Sequence, residues 1–519
     1  MFKIMNNKET GSFYTPYELI EYMVSYIRAR INPGKILEPS AGDGRFAEPL
    51  KSFDAKVSLI EFDKEKADIL ASNFSEDCNI CCSDFIKYAN QSNETFDLII
   101  GNPPYIAKKN IPEEQCEETE KILLYFQLDK SIFQNLWVAF VLASMKLLSN
   151  KGAIFFVLPF EFLQVQYAEK LRGFLETRFN TIEIITFEEQ VFKEIEQDIC
   201  LVYLANEKKA KPYIQYTTLS DVGTKKQVLQ SVIMRNKPLK KWSNCILNDE
   251  ETETLNMLSK KFMRVLEFGD ISPGIVTGAN SFFILPKKEI DKLLISEQYI
   301  LPIITKASII PQLLILKAVD FSKTFTEKNR THLLDLNKLK EEDFSEELRS
   351  YIRKGKEKEI HKGFKCKARK RWYDVPIIKK GDVCFFKRYH NVPRVVVNEV
   401  GVHTTDIVYN IRLKEGYDAE SFAFCFYNSL TLALCEYYGR FYGGGVGELV
   451  PSEFKQLSLP YKKIENRHIE KLDKMIREGI DIKEIVDYVD NIVLNSLCND
   501  EINLLQQIRD RYLKRRLKH

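Results

Sequence analysis

Phe96-Asp97-Leu98-Ile99-Ile100-Gly101-Asn102-Pro103-Pro104-Tyr105 is the stretch whose reading decides the fold. A short apolar run bounded by turn residues predicts a buried strand, and Gly-Asn-Pro-Pro predicts its abrupt end. The two prolines fix the loop and remove two backbone donors. Carbonyls and the Asn102 amide oxygen are then available to accept hydrogen bonds from an amino group, and Tyr105 offers a ring face to a planar substrate.

Outward from this strand, residues 10–204 alternate short apolar runs with amphipathic segments, the pattern of a mostly parallel sheet flanked by helices. Pro16 opens a helix whose Leu19, Ile20, Met23, Val24, Ile27 and Ile31 share one face. Strands are expected at Lys35–Leu37, Val57–Glu61, Ile80–Cys82 and Ala153–Leu158, with Thr181–Thr186 and Ile199–Leu204 as the last two. The first strand enters Glu38-Pro39-Ser40-Ala41-Gly42-Asp43-Gly44-Arg45, where two glycines permit a tight turn and close approach of a ligand. This is neither a dinucleotide-binding Gly-rich fingerprint nor a phosphate loop, so a cofactor without phosphates is implied. Glu61, ending the second strand, is placed to accept hydrogen bonds from ribose hydroxyls, and Asp84 with Phe85 brings a carboxylate and a ring to the same sheet edge. Three strand ends thus converge on a nucleoside-like ligand.

The 519 residues carry a net charge of +3, an uninformative sum with an informative distribution. Residues 351–394 hold 15 Lys and Arg against four acids, a local +11, and residues 509–519 hold six against one, a local +5, which leaves −13 for the rest. A concentrated positive region on a mildly acidic body suits a polyanionic partner. Trp372, Tyr373, Phe385, Phe386 and Tyr389 lie among those charges, a mixture that suits phosphate contact with base stacking. Eleven irregularly spaced cysteines fit reduced thiols rather than a disulfide scaffold, and neither an apolar span nor a signal sequence is present. A cytoplasmic monomer without membrane attachment is expected. Cys78, Cys81, Cys82 and the scattered histidines lack ligand spacing, so no metal is expected.

With these motifs the chain resembles the S-adenosylmethionine-dependent DNA adenine-N6 methyltransferases in which cofactor motifs precede Asn-Pro-Pro-Tyr and the target recognition domain comes last, the gamma order of type II restriction-modification systems. The resemblance implies an α/β fold, a Rossmann-like methyltransferase sheet with a C-terminal mixed α+β recognition domain. It implies a catalytic domain over 1–245, a recognition domain over 246–462 and a helical basic segment over 463–519. Thr10-Gly11-Ser12-Phe13-Tyr14-Thr15-Pro16 matches the cofactor-capping segment, with Thr15 the expected contact. Glu38, Ser40, Gly42 and Gly44 match the methionine-binding loop, Glu61 the ribose carboxylate, and Asp84 with Phe85 the adenine-contacting pair. Asn102 and Phe140 complete the cofactor residues. Asn102, Pro103, Tyr105 and Phe192, the last in Glu188-Glu189-Gln190-Val191-Phe192, match the catalytic set. Lys365, Lys367, Arg369, Lys370, Arg371, Trp372 and Arg440 are the implied DNA contacts.

The implied chemistry is direct methyl transfer to the N6 of an adenine turned out of duplex DNA. Any cognate restriction endonuclease is expected to be a separate protein. An RNA adenine or guanine amino-methyltransferase stands as the alternative, with a catalytically silent DNA-binding subunit as another. Protein-glutamine methyltransferases share Asn-Pro-Pro-Tyr, but they are short chains with a small N-terminal domain, for which a capping motif starting near Thr10 is expected to leave no room, and about 270 residues follow the expected catalytic domain here. The recognition sequence is not readable from residues alone.

Overall fold

The computed structural model describes residues 14–192, 198–207, 211–234, 238–326 and 328–517. Thr10-Gly11-Ser12-Phe13 of the capping segment lies outside the described residues, as do Lys518 and His519. The chain divides into two compact units: residues 1–252 with 441–445 and 514–519, and residues 253–440 with 446–513.

The first unit is built on one nine-stranded sheet. Helix α1 (Tyr17–Arg28) buries the predicted face, Leu19, Ile20, Met23, Val24 and Ile27. It is followed by β1 (Lys35–Glu38), β2 (Lys56–Glu61), α2 (Lys64–Phe74), β3 (Cys78–Cys82), α3 (Phe85–Gln91) and β4 (Phe96–Gly101). Then come α4 (Glu113–Tyr125), α5 (Leu136–Leu147), β5 (Leu148–Pro159), α6 (Glu169–Arg178), β6 (Thr181–Phe187), β7 (Ile199–Ala205), β8 (Tyr213–Leu219) and β9 (Gln227–Met234).

The strand order is β3-β2-β1-β4-β5-β7-β6-β8-β9. The half from β3 to β5 is parallel throughout, with Leu37 beside Ser58 on one side and Ile99 on the other. Strand β7 runs antiparallel between β5 and β6, and β9 antiparallel to β8, while the other seven strands share one direction, so the sheet is mostly parallel, as expected, with two antiparallel strands. Strand β7 lies antiparallel beside β5 with all seven residues buried. The order changes direction between β1 and β4, the switch point at which open α/β sheets leave a crevice beyond their carboxyl ends.

The second unit is α+β. Strands β10 (Gly269–Pro273), β14 (Val383–Phe386), β15 (Arg394–Val397) and β17 (Val408–Leu413) form one antiparallel sheet in the order β10-β17-β14-β15. Strands β11 (Ile284–Leu285), β12 (Ile300–Ile304), β13 (His332–Leu334) and β16 (His403–Thr404) form another, ordered β11-β13-β12-β16. Helix α7 (Glu346–Glu357) packs its Leu348 and Ile352 into the apolar cluster around Phe282, Phe283 and Leu333. Helices α8 (Ala419–Phe426), α9 (Ser429–Tyr438), α10 (Asn466–Glu478) and α11 (Ile482–Val493) pack together. Helix α12 (Asn499–Leu517) ends the chain, its last described residues belonging to the first unit. No helix among the described residues is long and apolar enough to cross a membrane.

Candidate functional site

Five of the residues picked out in the sequence meet at the switch point through hydrogen bonds. Strand β1 delivers Glu38 into the interior, 2 % exposed, and the chain then turns through Gly42 (φ +58°) and Gly44 (φ +82°). A Cβ on Gly44 would lie 2.8 Å from both Leu70 and Phe74 of α2, so only glycine lets the loop press onto that helix. Glu61, at the end of β2, accepts from Gly42 N at 2.7 Å and from Asp63 N at 2.9 Å, straddling the loop with both oxygens. Burial, reinforced by the charges of Glu61 and Asp43, holds the Glu38 carboxyl well above the usual carboxylate range. Its Oε2 is buried and makes no hydrogen bond.

Asn102 stands one residue beyond β4. Its backbone carbonyl accepts from Ser40 Oγ at 3.2 Å, and its Nδ2 donates to Thr15 Oγ1 at 3.2 Å. Tyr105 is half-buried, and its hydroxyl donates to the Val157 carbonyl of β5 at 3.1 Å, which fixes the ring against the sheet edge. Pro103 is buried. Phe192 packs in the same apolar cluster that supports Tyr105 and is 7 % exposed, a core ring in this structure.

Asp84 and Phe85 form a neighbouring group. Asp84 caps α3 by accepting from Lys87 N at 2.9 Å and also accepts from Gln115 Nε2. Phe85 and Phe140 are buried against each other with ring centroids 5.0 Å apart. Two residues at this edge escaped sequence reasoning. Phe62, directly after Glu61, exposes 70 % of its surface where a core residue would be expected, and an aromatic immediately following a strand-ending acid was the available signal. Glu161, two residues past β5, has its carboxyl raised by burial and accepts from Tyr167 Oη at 3.2 Å, with its charge felt at the Tyr105 phenol.

Between Lys365 and Arg371 the basic residues separate by type. Lys365, Lys367 and Lys370 are exposed. Arg369 instead donates to the Thr277, Val276 and Trp372 carbonyls, and Arg371 to those of Leu336, Leu339 and Asn337 and to Asp374. Arg394 likewise holds the Ala307 and Pro311 carbonyls. Arg440 pairs with Glu453 at 2.7 Å, the two side chains 12 % and 10 % exposed. Trp372 packs among Phe282, Phe283 and Tyr373. Tyr373, Phe385, Phe386 and Tyr389 are buried, which corrects the expectation that the aromatics of this stretch stack on bases: they build the core beneath it.

The basic C-terminus is corrected too. Arg509, Arg515 and Arg516 are buried on α12 and donate to the carbonyls of Asn391, Ser243 and Gly445, so they are structural rather than a phosphate-binding tail.

Two family models match the chain. Residues 30–192 match the Eco57I restriction-modification methylase, and residues 239–494 match the type II methyltransferase M.Eco57I, C-terminal domain. The type II methyltransferase M.AccI of Acinetobacter calcoaceticus is 24 % identical over 479 residues, covering 87 % of this chain and 85 % of that one. The type II methyltransferase M.HincII of Haemophilus influenzae is 30 % identical over 193 residues, about a third of either chain (37 % and 36 %). Among solved structures, the type IIL restriction-modification enzyme MmeI, determined in complex with DNA, superposes over 96 % of this chain and 75 % of its own with a TM-score of 0.55 at 11 % identity, a likeness of fold alone. The fold is thus an α/β, Rossmann-like methyltransferase sheet joined to a mixed α+β unit.

Proposed function

We propose that this chain, whose two halves match restriction-modification methyltransferases of the Eco57I kind, is a site-specific DNA methyltransferase that modifies adenine at N6 with S-adenosylmethionine. The observation that carries the reading is the Asn102 amide, fixed by Thr15 beside the carboxylates of Glu38 and Glu61 at the sheet's switch point.

The residues fit the cofactor. The buried, unpartnered Oε2 of Glu38 suits an ammonium group such as that of the methionine moiety. Glu61 beside the glycine turn suits a ribose, and the exposed Phe62 ring suits the face of a purine. When bound, the cofactor supplies an electrophilic methyl group on a sulfonium. The protein's part is to position and desolvate the acceptor.

Asn102 Oδ1 and the Pro103 carbonyl accept the two N6 hydrogens, drawing the nitrogen toward tetrahedral geometry so that its lone pair becomes available. Asn102 has no basic group to take a proton, and the methylated ammonium, being acidic, gives its own to water afterward. Tyr105 offers its ring face to the extruded base, with Phe192 turning toward it from the same cluster.

Expression in a methylation-free host followed by single-molecule sequencing tests the reading. New N6-methyladenine at one motif is expected, and its loss in Asn102→Ala with cofactor binding retained. A genome without new N6-methyladenine, or an active Asn102→Ala protein, overturns it.

A further inference from the structure

The most exposed large apolar side chain among the described residues is Phe364, at 85 %. A single surface phenylalanine needs no explanation by itself. This one differs because of how it is held and what surrounds it.

Phe364 begins the short helix Phe364–Lys367, which follows α7 through a left-handed residue, Glu359 (φ +58°), and the turn Ile360–Lys362. The back of this segment is clamped. Cys366 is buried against the Thr277 carbonyl, and Arg369 donates to Thr277 O at 2.6 Å and Val276 O at 3.2 Å. The fit against the 276–278 turn is close enough that a Cβ on Gly278 (φ +79°) would lie 2.8 Å from Lys365 Cβ. With Cys366 and Arg369 facing inward, Phe364, Lys365, Lys367 and Lys370 face outward. Residues 360–373 contain six Lys and Arg, of which Lys362 pairs with the flanking Glu359 and Arg371 with the flanking Asp374, leaving Lys365, Lys367 and Lys370 as the exposed lysines around the ring, and Lys365 Nζ lies 5.6 Å from the centre of the Phe364 ring. Firm backing, an outward ring and a predominantly basic surround belong to a contact surface for a polyanion that also presents something apolar. Among polyanions, duplex DNA does so: its phosphates flank stacked bases and thymine methyl groups.

We infer that Phe364 is the apolar probe of the DNA-binding surface, entering the base stack or meeting a thymine methyl while Lys365, Lys367 and Lys370 hold the adjacent phosphates. This inference deepens the proposed function and rests on it.

Full-length protein would be assayed in parallel for anisotropy-detected binding to a labelled mixed-sequence duplex, across a salt series, and for methylation of unmodified genomic DNA. Phe364→Ala is expected to leave the melting temperature and cofactor binding unchanged. It is expected to lower kcat/KM for DNA methylation about tenfold or more while the salt slope of binding stays that of the wild type. Phe364→Leu should recover part of the loss. The triple change Lys365→Ala, Lys367→Ala, Lys370→Ala should weaken binding to all duplexes and flatten the slope by about three units.

If Phe364→Ala binds and methylates as the wild type does, the inference is wrong. It is equally overturned if the variant's defect is loss of binding to anionic vesicles or of self-association rather than of DNA. Wild-type protein that binds DNA but methylates none would overturn the proposed function, and Phe364 would still be judged by the affinity of Phe364→Ala and Phe364→Leu for the duplex.

Discussion

Glu38 shows how one side chain joins burial to ligand chemistry. Its carboxyl sits well above the ordinary range because burial and the neighbouring Glu61 and Asp43 charges disfavour ionisation. A cationic group brought to the unpartnered Oε2 binds the ionised form, so cofactor affinity should rise as pH climbs through the elevated Glu38 value. Calorimetric titration of S-adenosylhomocysteine across pH should show that rise. Glu38→Gln should bind more weakly and lose the dependence, and a pH-independent wild type would remove Glu38 from the site. Gly44 tests the same turn through its backbone. Gly44→Ala meets both a left-handed φ of +82° and atoms 2.8 Å away, so it should cost about 1–3 kcal/mol of stability. Thermal melts and cofactor titration should report the two losses together. Residues of this kind were legible because chemistry marks them: a glycine pair after a strand, an acid ending the next, Asn-Pro-Pro-Tyr ending the fourth. Phe62 and Glu161 were not, because a lone aromatic or acid is ordinary until its exposure or burial is known.

At the scale of elements, sequence reading located the strands of the parallel half and missed what depends on pairing. The insertion of β7 between β5 and β6 and the extension by β8 and β9 are long-range choices without a local signature. The basic stretch shows the same limit. Composition counts Lys and Arg alike, whereas a planar guanidinium with five donors suits clusters of backbone carbonyls and an ammonium stays in water. Arg371 therefore ties Leu336, Asn337, Leu339 and Asp374 together, while Lys370 beside it is exposed. Arg371→Ala should lower stability by about 2–4 kcal/mol by orphaning these acceptors, and Lys370→Ala should change it by less than about 0.5. Equal effects in denaturant unfolding would refute the division. Between helices, Asp490 of α11 accepts from Ser429 N and Oγ at the start of α9. Burial raises its carboxyl to about 6. The folded form thus holds the proton more tightly than the unfolded chain, and the stability this confers is complete below about pH 4 and lost as pH rises to about 6. Asp490→Asn should remove that loss, so its advantage over the wild type should grow by about 1–3 kcal/mol between pH 4 and 7.

For the whole molecule, the net charge of +3 resolves differently once side chains are placed. Three arginines of the C-terminal segment are buried, so its local +5 is not a surface charge of that size. The path of the chain gives those residues another task. It leaves the first unit after residue 252, returns for 441–445, and returns again for 514–519. Within that unit Arg515 donates to Ser243 O and lies over the rings of Phe160 and Phe441, and Arg516 donates to Gly445 O. The unit built on this sheet therefore includes residues more than 200 positions beyond its last strand, β9, and a fragment ending at 252 lacks them. Deleting residues 514–519 separates two explanations of the terminal charges. A phosphate-binding arm would leave the melting temperature unchanged and flatten the salt dependence of DNA binding by about one unit per lost phosphate contact. A structural clamp would do the reverse: each buried hydrogen bond from a charged donor contributes about 1.5–3 kcal/mol, so the first unit should melt several degrees lower, with the slope unchanged in protein that remains folded. The second outcome is expected. Arg515→Lys should reproduce part of the thermal loss without altering the charge, because an ammonium keeps the sign but not the flat face that lies over Phe160 and Phe441.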